Sequence, residues 1–332
     1  MRPLGRLALV LAAAALSLRA APAHAEPLDV DLVRLGPPDP AVWIVLGDAQ
    51  APGSITAGQA AAYSSEAKQR FAILSAEVAL AMSSALLEPA STTGHSGFDV
   101  SMEGSYAAVH GGAVGGAAPL GFTNKPWPTN SVTPSSLFTS GIHVRKALPF
   151  SFEMGGRLSY LGQTSYYAAQ GEAKWALNEG FQVIPDVAVR AAYTRLFGQR
   201  EWNLEATDID FMVSKRWGVQ GVTSFTPYLA ARFTYVSASS DMLDFGPYRS
   251  APPGPGPNDA YRSVAAFPKL RTGLYRTTLG VRMTAYVVSL AAEATYFGGK
   301  KYGGKANPTA GEYPDFDLSS SFSAAFKLGW EF

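Results

Sequence analysis

Histidine, a residue type that often catalyses reactions or holds metal ions, occurs only four times in this 332-residue chain. Cysteine is absent, so the chain has no thiol nucleophile, thiolate metal site or disulfide. Beyond residue 25 the histidines are His95, His110 and His143. Asp208 and Asp210 sit two apart in an alternating segment, so their carboxylates would share one strand face and could bind a cation. Such a pair more often faces water or basic side chains, and we expect no catalytic residue, cofactor or metal.

The elements that would position these residues begin after an export signal. Two arginines precede the apolar run 7–18, and Ala23-His24-Ala25 fits an A-x-A cleavage site. These features predict a signal peptide over residues 1–25. The alternative is an uncleaved membrane anchor, but the apolar run is too short to span a bilayer comfortably.

Composition narrows the class of the exported chain. The formal net charge of +1 gives no reason to expect a nucleic-acid partner. Charged residues are 16% of the chain, which is low for a soluble domain of this size. After the signal no segment reaches about 18 consecutive apolar residues, so no transmembrane helix is predicted. Such a chain can still cross a membrane as a closed β-barrel.

From Gly97 onward the hydrophobic pattern has a period of two, which predicts strands. Short connections alternate with long ones rich in Gly and Pro, as in barrels with short periplasmic turns and long extracellular loops. A soluble sandwich is the alternative, and the signal peptide and this asymmetry of loops argue against it. The ten predicted strands are 97–110, 136–147, 150–162, 165–177, 186–197, 202–215, 224–238, 272–287, 289–298 and 318–332.

The last predicted strand runs to the final residue and alternates strongly. Its apolar face carries Phe326, Leu328, Trp330 and Phe332, and the other face carries small or charged residues. A final aromatic strand of this kind, after a signal peptide, resembles the C-terminal assembly signal of Gram-negative outer-membrane β-barrel proteins. The resemblance covers residues 1–25 and 97–332 and names no particular family. It implies an all-β, antiparallel up-and-down transmembrane barrel of about ten strands, within a range of about 8–12. It also implies location in the outer membrane, contact with outer-membrane lipid, and recognition by the barrel-assembly machinery.

The two faces of the predicted strands differ in chemistry. An arginine or lysine facing lipid at the bilayer midplane costs about 2–4 kcal/mol, so the charged face is expected to point into the lumen. The inward charges either pair across strands and fill the lumen or line a wet pore. The predicted lipid face includes Phe150, Phe152, Met154, Leu158, Tyr160, Val187, Val189, Tyr193, Phe225, Leu229, Phe233, Tyr235, Tyr275, Leu279, Val281, Met283 and Val287. The predicted lumen face carries Glu103, Arg145, Glu153, Arg157, Glu172, Lys174, Arg190, Glu205, Arg232, Arg276, Arg282, Glu293 and Lys327.

The N-terminal segment 26–96 precedes the barrel. Residues 26–57 are rich in Pro and Gly and are expected to be extended or irregular. Thr56 and Gln59 form a capping-box pattern, which predicts a helix to about Glu88. An even strand number leaves both termini in the periplasm, so we expect the segment to begin there. It would either plug the lumen or remain at the periplasmic rim.

Two functions from different classes fit these elements. The first is a porin-like or small-solute transport channel, constricted by lumen charges and possibly by the N-terminal segment. The second is a closed structural or surface ligand-binding barrel with long extracellular loops. Outer-membrane enzymes of the omptin kind use histidine with acids, and outer-membrane phospholipases use serine with histidine. No motif of either family is present. We therefore expect the protein not to be an enzyme.

Overall fold

Ten antiparallel strands, each paired with its neighbours in sequence, form a closed barrel in the computed structural model of the protein. The structure describes residues 26–83, 85–116, 119–129, 133–219, 223–246, 263–302 and 313–332, so the predicted signal peptide lies outside the described residues. The first strand pairs with the last from Asp99 with Glu331 to Ala107 with Ser323, which closes the barrel. The predicted fold class is confirmed.

The strand bounds agree with the sequence pattern to within a few residues. The barrel strands are β1 Phe98–Ala108, β2 Ser136–Leu148, β3 Phe152–Leu161, β4 Tyr167–Asn178, β5 Asp186–Phe197, β6 Trp202–Ser214, β7 Thr223–Ser240, β8 Leu270–Ala285, β9 Val288–Phe297 and β10 Ser321–Glu331. Short strand pairs, Leu243–Asp244 with Val264–Ala265 and Lys300–Tyr302 with Phe316–Leu318, lie within two of the long connections, and Trp217–Val219 extends the sheet beside β7.

The N-terminal segment contains more helix than its composition predicts. Residues 26–57 are not irregular throughout, because a 3-10 turn, Leu32–Leu35, and a helix, α1 Pro40–Gln50, form there. The Asp39 side chain caps α1 by accepting from the Ala41 amide, and Pro40 occupies the first turn, where a missing N–H costs nothing. Local capping thus overrides the high Pro and Gly content of the segment.

The second helix, α2, begins where predicted and ends early. It spans Ala57–Met82, and the capping box between Thr56 and Gln59 is present. The predicted end at Glu88 is wrong by six residues. Carbonyls of Leu80 and Ser83 accept hydrogen bonds from arginines of the barrel wall. These bonds satisfy carbonyls at the end of the helix.

The N-terminal segment enters from the opposite end of the barrel to the one expected. Residues 28–30 hydrogen-bond to the β3–β4 connection, where the Leu28 amide donates to the Gln163 carbonyl at 3.0 Å and the Val30 amide to the Tyr166 hydroxyl at 2.7 Å. Phe332 instead pairs with Phe98 at the other end. With short turns on the periplasmic side, residues 26–50 cover the extracellular mouth, and the expectation that the segment begins in the periplasm is wrong.

The outer surface is an apolar belt bounded by aromatic pairs. Met154, Leu158, Leu229 and Leu279 are all exposed on it. Toward the periplasmic end Phe152 stacks on Trp175 with ring centroids 5.5 Å apart, and toward the other end Tyr160 lies 5.3 Å from Tyr167. Paired aromatics at both edges of an apolar belt match the girdles of membrane barrels.

Three details of the predicted faces change, and one of them is that Val287 lies in the β8–β9 turn rather than on the strand. Phe150 lies in the tight β2–β3 turn with a positive φ of 64°, rather than on the strand. Glu205 is half-buried on the outer face of β6, opposite Arg195 of β5 near the extracellular end, rather than in the lumen. Strand alternation requires this, because Asp208 and Asp210 point inward and an odd-numbered residue of the same strand must point outward.

Replacement of Leu229 by arginine tests the outer face. Leu229 is 52% exposed on the belt, so Leu229→Arg would place a charge in lipid and is expected to lower the free energy of unfolding by up to about 2–4 kcal/mol. Urea titrations of the purified barrel in lipid vesicles measure the change. Leu229→Met serves as the matched control and should leave the midpoint nearly unchanged. Equal stability of the two variants would contradict the lipid-facing assignment.

Candidate functional site: the filled lumen and its charge cluster

The extracellular half of the lumen is filled by α2 and is apolar. Residues 70–82 of α2 are all buried. Phe71 stacks on Phe267 from the β7–β8 connection, with centroids 4.5 Å apart. Inward residues of the upper strands, including Trp202 and Leu270, are buried in the same core. Among the described residues, packing of this kind closes the upper barrel as a protein core closes and leaves no room for a water-filled passage.

Glu77 attaches α2 to the first long connection. One carboxylate oxygen accepts from the Trp127 indole N–H at 2.6 Å, and the other accepts from the His110 amide at 2.8 Å. The His110 ring Nδ1 lies 3.4 Å from the same carboxylate. Burial raises the pKa of Glu77 from 4.5 to about 7, although the two hydrogen bonds oppose this shift.

The stability of the protein is expected to rise as the pH falls from 7.5 to 5.5. A carboxyl whose folded pKa is raised binds protons more tightly in the folded state, so its contribution is complete below its unfolded pKa and disappears as the pH rises through 7. The expected difference is about 2 kcal/mol. Urea titrations at the two pH values measure it. Glu77→Gln should remove this component, and an unchanged pH dependence in that variant would exclude Glu77 as its source.

Below α2 the chain crosses the lumen as an irregular segment, held by arginines of the wall. Arg232 donates to the Ser83 carbonyl at 3.0 Å, and Arg157 donates to the Ala85 carbonyl at 2.8 Å. Arg276 also reaches the Ser83 hydroxyl at 2.9 Å. Backbone oxygens of the segment therefore face cations of the barrel. We call Ser83 together with residues 85–93 the threaded segment.

One wall carboxylate binds amides of the threaded segment. The two oxygens of Glu293 accept from the Leu86 and Leu87 amides at 2.8 and 2.7 Å. Tyr228 donates its hydroxyl to the same carboxylate at 2.9 Å. Leu87 has a positive φ of 54°, a strained value for leucine. The double contact with Glu293 holds the backbone at this bend.

Among the described carboxylates of the lumen, Glu88 has the largest number of basic partners. It is fully buried, and its Oε2 contacts Arg145 Nη1 and lies 2.6 Å from Lys174 Nζ. Its Oε1 lies 3.8 Å from Arg190 Nη1. These cations come from β2, β4 and β5, so one carboxylate of the threaded segment connects three strands of the wall.

The ion pairs around Glu88 extend into one connected set, which we call the charge cluster. Arg190 Nε lies 2.8 Å from Asp210, which also pairs with Arg232 at 2.5 Å. Buried charges must be paired in this way, since an isolated ion in a low-dielectric interior is strongly disfavoured. Besides Glu88 the cluster contains Arg145, Lys174, Arg190, Arg232, Arg157, Lys327, Asp99, Glu103, Glu153, Glu172, Asp210 and His143.

Most of the charged residues that were predicted to face the lumen do so, but not all of them belong to the charge cluster. All except Glu205 are buried inside the barrel, and most belong to the charge cluster. Three lie apart from it: Arg276 pairs with Asp208 at 2.9 Å, Arg282 pairs with Glu331 at 3.2 Å, and Glu293 binds the threaded segment. The sequence analysis did not single out Asp99 or Glu88. Asp99 could have been found, because it lies on the same face of its strand as Glu103, which was predicted to point into the lumen.

His143 lies between two carboxylates. Its Nδ1 is 2.9 Å from Glu103 and its Nε2 is 2.9 Å from Glu172. Two acceptors at the two ring nitrogens suit an imidazole that donates on both sides. The ring is fully buried, so it links strands rather than faces a substrate. His95 and His110 lie outside this arrangement.

The aspartates considered as a cation site are held by arginines. Asp210 contacts Arg190 and Arg232, and Asp208 contacts Arg276 at 2.9 Å and the Thr234 hydroxyl at 2.5 Å. Within the described part of the chain, no group of three or more His, Cys, Asp or Glu side chains could hold a metal ion. The pair therefore serves the charge network of the wall.

Small cavities lie in the described interior, and a larger cleft lies at its periplasmic end. Two cavities beside α2 and the threaded segment measure about 20 Å³ each, which is room for about one water molecule. A cleft of about 440 Å³ opens at the periplasmic end, between residues 91–94 and 179–182 and beside Arg216. Thr92 at its edge binds Glu179 through both its amide and its hydroxyl.

A closed antiparallel barrel with an apolar, aromatic-edged exterior and a polar lower lumen is a transmembrane β-barrel of the outer-membrane class. The predicted location in the outer membrane of a Gram-negative bacterium is the one that this class implies. Among the described helices, none is long and apolar enough to cross a membrane.

Comparison with known proteins adds a general likeness. No family model and no curated protein matches the chain. Among solved structures, the N-terminal β-barrel domain of Pseudomonas aeruginosa OprF has 9% identity and a TM-score of 0.27, covering 70% of this chain and 97% of that one. Neisserial surface protein A has 14% identity and a TM-score of 0.27, covering 70% and 95%. Acinetobacter baumannii Omp33 has 7% identity and a TM-score of 0.24, covering 71% and 98%. At such scores the barrel class rests on the architecture of this chain itself.

Proposed function

We propose that this protein is an outer-membrane barrel that is closed at rest and presents its N-terminal segment as a cap at the cell surface. The cap consists of residues 26–50, the upper part of α2 and the long connections packed against them. In this proposal the surface of the cap contacts a ligand outside the cell, and the barrel anchors it. No catalytic reaction is assigned to the barrel.

The observation that carries the proposal is the path of the chain through the lumen. Residues 28–30 bind the β3–β4 connection, Glu88 binds the charge cluster, and Thr93 binds Glu153 through its amide at 3.0 Å before β1 begins at the opposite end. A segment held at both mouths and in the middle closes the barrel and fixes the cap on one side.

The outer belt and the last strand define the remaining partners in this proposal. Outer-membrane lipid covers the apolar belt, and the barrel-assembly machinery recognises the terminal strand through Phe326, Leu328, Trp330 and Phe332. These four side chains are exposed on the outer face, where an assembly factor reaches them before lipid does. The assembly role of these residues stays a prediction.

A second candidate function is a gated, porin-like channel for small solutes. The threaded segment makes ion pairs and hydrogen bonds that water can replace, beside the apolar contacts of Ala85, Leu86, Leu87 and Ala90 with the wall. The periplasmic cleft of about 440 Å³ adjoins its lower end and offers a space on one side. Displacement of the segment would open the lumen in this candidate.

Cysteine labelling on intact cells tests the cap. The chain has no cysteine, so Ala49→Cys in exposed α1 and Val183→Cys in the exposed β4–β5 turn each introduce a single thiol. A membrane-impermeant maleimide should label position 49 on intact cells and position 183 only after the outer membrane is permeabilised. Labelling of position 183 but not position 49 on intact cells would refute the surface cap.

A further inference from the structure

The threaded segment offers oxygen atoms to the cations of the wall. Lys174 Nζ lies 3.2 Å from the Ser91 carbonyl and 2.6 Å from the Glu88 carboxylate. The Ala85 carbonyl accepts from Arg157, as described above. The segment thus occupies, along its length, positions that suit the oxygens of an anion.

The residues that the barrel strands supply to the charge cluster carry more positive than negative charge when Glu88 is left out. Six lysines and arginines of the wall belong to the cluster, and five carboxylates of the wall face them. Glu88 is the sixth carboxylate and the one that the N-terminal segment supplies. The strand residues of the cluster therefore have one positive charge more than their carboxylates can balance. A protonated His143 would add a second.

The surroundings of Glu88 have the form of a built anion site. Arg145, Lys174 and Arg190 converge on its carboxylate from three strands, and all three side chains are buried. Their other partners, including Asp99 and Glu153, hold them in place. Preorganised cations around one carboxylate recognise that group by charge-assisted hydrogen bonds.

We propose that Arg145, Lys174 and Arg190 form a binding site for a small carboxylate monoanion, and that the Glu88 side chain is its resident occupant in the closed barrel. A monoanion restores the sixth carboxylate of the cluster when Glu88 is absent. The site would be the solute-binding site of the proposed gated channel. It rests on that proposed function because, in the native protein, a solute reaches the site only after the threaded segment moves.

Chemical rescue of a full-length variant, refolded in the presence of the anion, tests the site without relying on channel gating. Glu88→Ala removes the carboxylate and leaves space beside the three cations, so its thermal midpoint should fall below that of the native protein. Sodium acetate should then raise the midpoint of this variant with increasing concentration, as binding to the folded state requires. Sodium chloride at the same ionic strength is the reference solution, and the probe is acetate itself.

Two further variants separate binding from general salt effects. Glu88→Gln keeps the side-chain volume and leaves no space for acetate, so its midpoint should be the same in acetate and chloride. Glu201→Ala removes an exposed acid in the β5–β6 connection and should respond to neither salt specifically. Equal midpoints of Glu88→Ala in acetate and in chloride would overturn the inference.

If Glu88→Ala does not fold in chloride, its refolding yield becomes the readout. A yield that is recovered in acetate and absent in chloride supports the site, and equal yields in the two salts overturn it. The result is independent of channel activity. Acetate rescue, together with no conductance in a folded barrel that lacks residues 27–90, would retain the anion site and refute the channel. Conductance in that barrel without acetate rescue would retain the channel and refute the site.

Discussion

Removal of residues 27–90 behind an intact signal peptide is expected to turn a silent barrel into a conducting one. The deletion takes away α2, which fills the apolar upper lumen, and Glu88, which neutralises the cations around it. Arg145, Arg190 and Arg282 would become wet, because water would enter the space that the segment leaves beside them, although their carboxylate partners on the wall remain. Planar-bilayer recordings of the full-length and shortened proteins, in the same lipid and salt, measure the change.

The control for this experiment is the folded state of the shortened barrel. Heat-modifiable migration in detergent gels distinguishes a folded barrel from an unfolded one, so conductance is compared only between folded samples. A folded, shortened barrel with the same conductance as the full-length protein would exclude the N-terminal segment as the closure. Conductance in the full-length protein at rest would exclude the closed state itself.

Reversal of the charge at Glu88 is expected to produce the largest loss of stability from a single substitution. Glu88→Lys would add a fourth cation to the three around position 88, all buried. Breaking a buried ion pair by losing one partner costs about 3–5 kcal/mol, and the added repulsion makes the loss at least that large. The free energy of unfolding in lipid vesicles, from urea titrations, is the measurement.

Glu201→Lys is the matched control, because it makes the same change of charge at an exposed position of the same chain. Its midpoint should shift little, since surface charges contribute at most about 1 kcal/mol. Comparable losses in the two variants would show that the protein responds to net charge rather than to the geometry at Glu88.

The sequence determined the barrel strands and their faces because these properties are local. A period of two separates lipid-facing from lumen-facing residues along each strand, and turn residues mark where strands end. This alternation alone places Leu229 and Arg232 on opposite faces, since their positions differ by an odd number, and their exposure agrees. The same parity test places Glu205 on the face opposite to Asp208, so its predicted position in the lumen is an error that the local pattern could have corrected.

Helix formation was only partly predictable. The capping box at Thr56 is a local signal and located the start of α2, and a similar local signal at Asp39 and Pro40 marks α1. The end of α2 depends instead on Arg232 and Arg276, which lie roughly 150 to 200 residues further along the chain. No local pattern carries information about such contacts.

Only the tertiary structure decided which residues meet inside the barrel. The sequence placed many acids and bases on the inward face, but the register between strands determines that Asp210 lies beside Arg190 and Arg232. The direction of the N-terminal segment and the position of Glu88 were likewise undetermined, because they depend on packing α2 into a lumen that exists only after ten strands have closed. Periodicity specifies the two sides of a strand, whereas the partners across a lumen are set by closure, register and the matching of buried charges.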